Sequence, residues 1–185
     1  MSGIMNMLLG ANAGIAYATW DPAFLGTGQA LSNGNKTVTA SSGWGSTRST
    51  LGKSTGLWFI EYTIGSSAAH FAGICNASAG ANTFAGDDAD GYAIQVNTGD
   101  IYNASTIQFS TGATWAVGDR VGLALNAGTG HIGWYKNGTI QTSATSGLTG
   151  PYYFIVSQIA AGSNAVGNFG PTFVSVPGGY NVGLY

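Results

Sequence analysis

Three aspartates crowd into one short stretch, Asp87-Asp88-Ala89-Asp90-Gly91, and Glu61, His70, Cys75 and His131 are the other residues whose types could do chemistry. Glycoside hydrolysis needs paired carboxylates flanking the sugar. Glu61 is a lone glutamate, and the alternation of its strand sets it on the face opposite Trp58. The aspartates lie in a loop with no matching acid elsewhere. A Ser-His-Asp arrangement needs a histidine beside an activated serine, but His70 and His131 alternate within strand patterns and no Gly-x-Ser-x-Gly elbow is present. A chain without catalytic residues is expected. Calcium takes about six to eight oxygen ligands, usually with a distant bidentate acid. The Asp87–Asp90 set is only part of that, and reads more simply as a solvated turn closed by Asx hydrogen bonds. Cys75, His70 and His131 are too few and wrongly spaced for zinc. No metal and no cofactor is expected, and Cys75, inside the apolar run Phe71-Ala72-Gly73-Ile74, reads as a small core residue.

Recognition chemistry is better represented. An aromatic ring beside polar groups grips peptides and glycans by stacking while the polar groups hydrogen-bond around it. Trp44 and Arg48 share a turn-like stretch, and Asn82, Phe84, Asp87, Asp88, Asn103 and Thr106 lie in loops expected at the same end of the fold. These eight residues are the candidate ligand-binding set. For Trp44 and Phe84 the alternative is plain loop packing, since aromatic rings bury readily. Trp20, Trp58, Trp115 and Trp134 are assigned to the core. Asn-x-Ser/Thr sequons begin at Asn35, Asn76, Asn103 and Asn137, and carry no weight in a chain this rich in Asn and Thr.

Composition fixes which elements must hold these residues. The 185 residues suit one domain with an appendage, because two domains would each have a thin core. With 31 glycines, 12% aromatic residues and only 6% charged ones, the chain favours many short strands over surface helices, so the class is all-β. Five basic and seven acidic residues, with no basic run, leave little to neutralise phosphate, so no nucleic-acid partner is expected. No stretch is apolar and long enough to span a bilayer as a helix.

The clearest element is the meander from Leu123 to Gln141. Val121, Leu123 and Leu125 alternate with small residues, the glycines of Asn126–Gly130 allow a turn, and Ile132 and Trp134 alternate on the way back. Asn137-Gly138 then supplies the two positive φ angles of a tight hairpin, with Thr139–Gln141 as the returning edge. Trp134 is the expected anchor of the inner face. In Leu57–Ile64, Trp58, Ile60, Tyr62 and Ile64 share one face, and Phe59, Glu61 and Thr63 the other. Short strands are expected around Asn33-Gly34, at His70–Cys75, Tyr92–Val96, Asp100–Tyr102, Tyr152–Ile159 and Ala165–Phe169. Residues 41–51, 76–90 and 103–113 read as loops.

Taken in order, several of these stretches resemble the SPRY domain, a family of concanavalin-like bent β-sandwiches. Thr19-Trp20-Asp21-Pro22 with Leu31-Ser32 and Val38-Thr39 is similar to the family's opening. Gly56-Leu57-Trp58-Phe59-Ile60-Glu61 resembles its Gly-x-Trp/Tyr-Tyr-Trp-Glu strand, and Gly118-Asp119-Arg120-Val121-Gly122 its Gly-Asp-x-Ile-Gly strand. Trp134-Tyr135-Lys136-Asn137-Gly138 is similar to its Phe-x-Lys-Asn-Gly hairpin, and Gly150-Pro151, Asn168-Phe169-Gly170 and Pro177-Gly178-Gly179-Tyr180 to its closing pattern. The resemblance runs from Thr19 to Tyr180. It implies two antiparallel sheets packed face to face in a jelly-roll-like sandwich, and a non-catalytic binding role carried by loops.

Residues 1–18 fall outside it. Ile4, Met5, Met7, Leu8 and Leu9 form an uncharged apolar cluster. A secretory signal ending at Ala18 would need a positive n-region and an uninterrupted apolar core, neither of which is present. The segment reads as a docking arm onto another chain, with packing back on its own domain as the alternative. A free-standing sandwich with such an arm and a Ser/Thr/Asn/Gly-rich surface resembles a phage virion component: a fibre, spike or head decoration. The expected function is therefore non-enzymatic attachment to other virion proteins through the arm and recognition of a host-surface glycan or protein. A purely structural decoration role and a secreted, extracellular lectin-like or degraded glycosidase domain are the alternatives, and the sequence leaves homo-oligomerisation open.

Overall fold

The computed structural model describes residues 14–185, so the docking cluster Ile4, Met5, Met7, Leu8 and Leu9 lies outside the described residues. These residues form strands and turns without an α-helix, in keeping with the scarcity of Glu, Lys and Arg. The strands are β1 (Trp20–Leu25), β2 (Gln29–Ser32), β3 (Thr37–Ala40), β4 (Gly45–Ser49), β5 (Leu57–Ile64), β6 (His70–Cys75), β7 (Gly91–Gln95) and β8 (Asp100–Asn103). They continue with β9 (Thr106–Ser110), β10 (Arg120–Asn126), β11 (His131–Lys136), β12 (Thr139–Thr145), β13 (Tyr153–Gln158), β14 (Asn164–Asn168) and β15 (Asn181–Val182). The first sheet runs β1-β4-β13-β6-β7-β8-β9, the second β12-β11-β10-β5-β14-β3-β2, with β15 added beside β5. The main pairings are antiparallel, and the two sheets form the expected sandwich.

The core lies where the inward-facing side chains of both sheets meet. Ile60, Tyr62 and Ile64 of β5 and Val121, Leu123 and Leu125 of β10 face Ala72 and Ile74 of β6 and Phe154 and Val156 of β13. Trp134 is fully buried, and its Nε1 donates to the Ala72 carbonyl of the opposite sheet at 2.8 Å. One side chain thus fills the core and ties the layers together; truncating such a tryptophan costs about 3–5 kcal/mol. Trp20 and Trp115 are buried as expected, whereas Trp58 is only partly buried at the rim.

Two expected loops contain strands. Residues 41–51 hold β4, whose Gly-Ser-Thr-Arg-Ser sequence lacks apolar alternation; its place between β1 and β13 imposes the strand. Residues 103–113 hold the edge strand β9, exposed along its whole length.

Each sheet also has an outer face, and each is covered over its central strands. On the first sheet, residues 76–90 fold over Phe71, Cys75, Ala93 and Ile155 and close a second, smaller core with Ala79 and Ala85. The ends of this loop meet where the Asn76 amide donates to the Asp90 carbonyl at 2.9 Å and Asn76 Nδ2 to the Asp90 carboxylate at 2.6 Å. On the second sheet, the C-terminal segment lies against Phe59, with Phe173 edge-on to it at 5.3 Å. Tyr17 and Ala18 join this side: the Ala18 amide donates to the Leu184 carbonyl at 2.7 Å, and the Tyr17 ring meets Tyr185 edge-on.

Candidate binding face

Four aromatic rings meet on the outer face of the first sheet. Phe71 projects from β6, because His70, Ala72 and Ile74 alternate with it into the main core. Phe84 descends from the covering loop and stacks on Phe71 with centroids 4.5 Å apart. Tyr102 of β8 meets Phe71 at 5.4 Å and Phe84 at 5.7 Å, both edge-on. Trp44 completes the group at 5.1 Å from Phe84 and 6.1 Å from Phe71. Phe71 is buried, Phe84 and Tyr102 are half-buried, and Trp44 keeps 49% of its surface exposed. A stacked base beneath an exposed indole makes a rigid apolar platform, the arrangement that loses little entropy when a partner lands on it.

The loop holding Phe84 is fixed by polar contacts. Asn82 Oδ1 accepts from the amide (2.7 Å) and the hydroxyl (3.0 Å) of Thr27. The Asp87 carboxylate accepts from the hydroxyls of Thr83 and Ser105, and Ser105 Oγ also donates to the Asp87 carbonyl at 2.8 Å. Asp88 Oδ2 accepts from the Gly80 amide at 2.9 Å and Oδ1 from the Asp90 amide at 3.1 Å. The latter is an Asx turn of the kind that solvated aspartate clusters form. Asn103 Nδ2 donates to the Gly91 carbonyl at 2.8 Å. Beneath, Ser157 Oγ accepts from the Ala85 amide at 2.6 Å.

This web imposes an unusual turn. Ala104 and Ser105, which link β8 to β9, have φ of 51° and 56°, a region that residues other than Gly and Asn rarely occupy. The Ala104 amide donates to the Asp88 carbonyl at 3.1 Å and the Ser105 amide to the Gly86 carbonyl at 3.0 Å. Loop and turn therefore hold each other in place.

A model of the SPRY domain family matches residues 57–172. The chain belongs to the SPRY domain family. Solved structures agree in fold: the SPRY domain of human HERC1 superposes with a TM-score of 0.67 at 16% identity, over 80% of this chain and 96% of that one. The TRIM65 PSpry domain matches with a TM-score of 0.66 at 12% identity, over 83% of this chain and 90% of that one. The stonustoxin structure contains a similar sandwich, with a TM-score of 0.66 at 14% identity, over 83% of this chain but only 27% of that one. No curated protein matches. SPRY domains are in general non-catalytic protein-interaction modules.

On this SPRY domain the candidate residues fall into three places. Trp44 and Phe84 sit together on the platform. Asn82, Asp87, Asp88 and Asn103 form the web that fixes the loop, and Thr106 begins β9 beside the strained turn, its Oγ1 donating to the Ala104 carbonyl at 3.2 Å. Arg48 stands apart in β4: its guanidinium lies 4.3 Å from the ring centres of both Phe24 and Tyr153 and donates to the Ala77 carbonyl at 3.2 Å. That sandwich anchors the start of the covering loop.

Phe71 and Tyr102 escaped the sequence reading. The available signal was β6 itself, where Phe71 and Cys75 alternate with Ala72 and Ile74, so both faces are apolar; a strand apolar on both faces is covered on both. The catalytic candidates have structural duties. Glu61 is buried on the second sheet and accepts from Asn168 Nδ2 at 3.2 Å. His70 lies in the core against Tyr62, and burial pushes its pKa down to about 4. Burial pushes the Cys75 thiol up to about 12 despite the neighbouring Arg48, which removes it as a nucleophile.

Proposed function

We propose that this chain is a non-catalytic protein-binding module that meets its partner through the Trp44 platform and is carried on a phage-type virion through residues 1–13, since Tyr17 and Ala18 of the expected arm pack on their own sandwich instead. The observation that carries the binding reading is the half-exposed Trp44 indole, just before β4, resting on Phe71 and on Phe84, which a loop cross-braced by polar contacts holds in place. Large aromatic side chains on a pre-organised base are what protein interfaces use as anchors. The SPRY family supplies the partner class, a protein. The virion reading rests on composition: 6% charged residues and an apolar, uncharged opening segment suit a chain meant to be built into an assembly.

The test is binding of the labelled full chain to intact bacterial cells, with a Trp44→Ala variant alongside. Saturable, protease-sensitive binding lost in the variant is the expected result. Binding that survives Trp44→Ala, or that glycosidase rather than protease treatment of the cells abolishes, overturns it. For the arm, deleting residues 1–13 is expected to leave a folded chain that no longer joins its particle; unchanged incorporation contradicts the attachment.

A further inference from the structure

The charges of this chain are sorted by sheet. The first sheet and its covering loop carry Asp21, Asp87, Asp88, Asp90 and Asp100 against one cation, Arg48. The second sheet carries Lys36, Arg120 and Lys136 against Glu61 and Asp119. Lys53 stands at the rim between the sheets, its backbone paired with Tyr152 beside β13 and its ammonium 4.0 Å from the Trp58 ring centre. Among the described residues the one ion pair, Lys136 with Asp119 at 3.0 Å, is on the second sheet. The acids of the first sheet are held by hydroxyl and amide donors, which orient a carboxylate without cancelling its charge. Arg48, stacked between Phe24 and Tyr153 and donating to the Ala77 carbonyl, forms no ion pair with them and offsets only one of their five charges. The net charge on this side of the sandwich is therefore negative, and its nearest acid in sequence to the platform is Asp87, whose amide donates to the Phe84 carbonyl at 3.0 Å.

We propose that the Trp44 platform takes a cationic peptide segment of the partner protein, with an arginine or lysine side chain over the indole and the carboxylates of the 87–90 loop facing its charge. This rests on the Trp44 face being the binding surface, as proposed above. An indole face attracts a cation through its quadrupole, and the low charge elsewhere lets a few carboxylates set the local potential. A neutral glycan gains nothing from that field, and a polyanion is repelled. A second copy of the chain could offer only Lys36 or Arg120 to this site, because Lys136 is paired with Asp119, Lys53 lies on Trp58 and Arg48 is held between two rings.

The experiment is calorimetric titration of the full chain with a capped tetra-arginine peptide, with tetra-glutamate and a neutral oligosaccharide as controls. The arginine peptide alone is expected to bind. Trp44→Ala should weaken it about tenfold, Trp44→Phe much less, and Asp87→Asn a few-fold while its amide oxygen still accepts from Ser105. Raising salt from about 20 to about 200 mM should weaken binding several-fold. Equal binding by Trp44→Ala, indifference to salt, or binding of tetra-glutamate overturns the proposal. Self-association of the chain that Trp44→Ala abolishes would make a second copy the occupant and overturn it too. If the chain grips cells through Trp44 but ignores the arginine peptide, the binding face stands and only the cationic occupant falls.

Discussion

The two sheets end in edge hairpins built to one plan and held by different means. β8–β9 turns at Ala104-Ser105 and β11–β12 at Asn137-Gly138; each returning strand begins Thr-Ile-Gln, and each ladder shifts register at the glutamine. Asn137 and Gly138 have φ of 50° and 88°, which these residue types adopt readily, and Asn137 Oδ1 also accepts from the Arg120 amide at 2.9 Å. Ala104 and Ser105 take the same left-handed region at a cost of roughly 1 kcal/mol each. Their shape is imposed from outside, by Gly86, Asp87 and Asp88 of the loop that carries Phe84. The difference teaches where the molecule stores strain. The hairpin away from the platform specifies itself, while the hairpin beside it is held by the loop that covers the first sheet, so loop and turn form one hydrogen-bonded unit.

The largest expected effect falls on the core that the two hairpins share. His70 is buried, and its pKa is pushed down to about 4, so the fold favours the neutral ring. Stability from this group is full above about pH 6.5 and is lost as pH falls through about 4, by on the order of 3 kcal/mol in all. Urea midpoints measured across that window should fall steeply for the wild type and less steeply for His70→Phe, with both hairpins unfolding together. Next comes Gly138→Ala. A Cβ there would lie 2.8 Å from Ser175 Cβ at a φ of +88°, so a loss of roughly 2 kcal/mol is expected, confined in hydrogen exchange to the second sheet's edge and the tail.

Asp87→Ala is the sharper probe of the comparison. Losing the acceptor for Thr83 and Ser105 should cost about 1 kcal/mol globally. It should also speed amide exchange at residues 83–88 and 103–106 while leaving 137–141 unchanged. Equal loosening at both hairpins would break the distinction. The smallest effect is Ala104→Gly, expected to leave stability within about 0.5 kcal/mol or raise it, since relief of left-handed strain offsets the added backbone entropy.

What the sequence made legible follows the same division. Asn137-Gly138, the alternation of β5 and β10, and Trp134 announced themselves because local preference and tertiary demand agree there. Ala104-Ser105 did not, since neither residue favours positive φ and the loop that forces the turn lies more than a dozen residues upstream. β4 was hidden because its inward positions are Thr47 and Ser49, buried small polar residues instead of the apolar ones that mark a strand. Trp44 and Phe84 could be picked out as aromatics in turn-like sequence, but their union with Phe71 and Tyr102 arises from packing between distant segments. Arg48 read as a loop cation for the same reason that β4 read as a loop, and its sandwich between Phe24 and Tyr153 depends on strands far apart in the chain.

The central claim is that the partner lands on the first sheet's platform and not on the tail-covered face of the second sheet. It is tested most directly by placing a photo-crosslinking benzoylphenylalanine at position 44 in one variant and at exposed position 174 in another, then irradiating each on intact bacterial cells. The account predicts one discrete protein adduct from position 44, suppressed by excess unlabelled wild-type chain, and none from position 174. An adduct from position 174 with none from position 44 would contradict it.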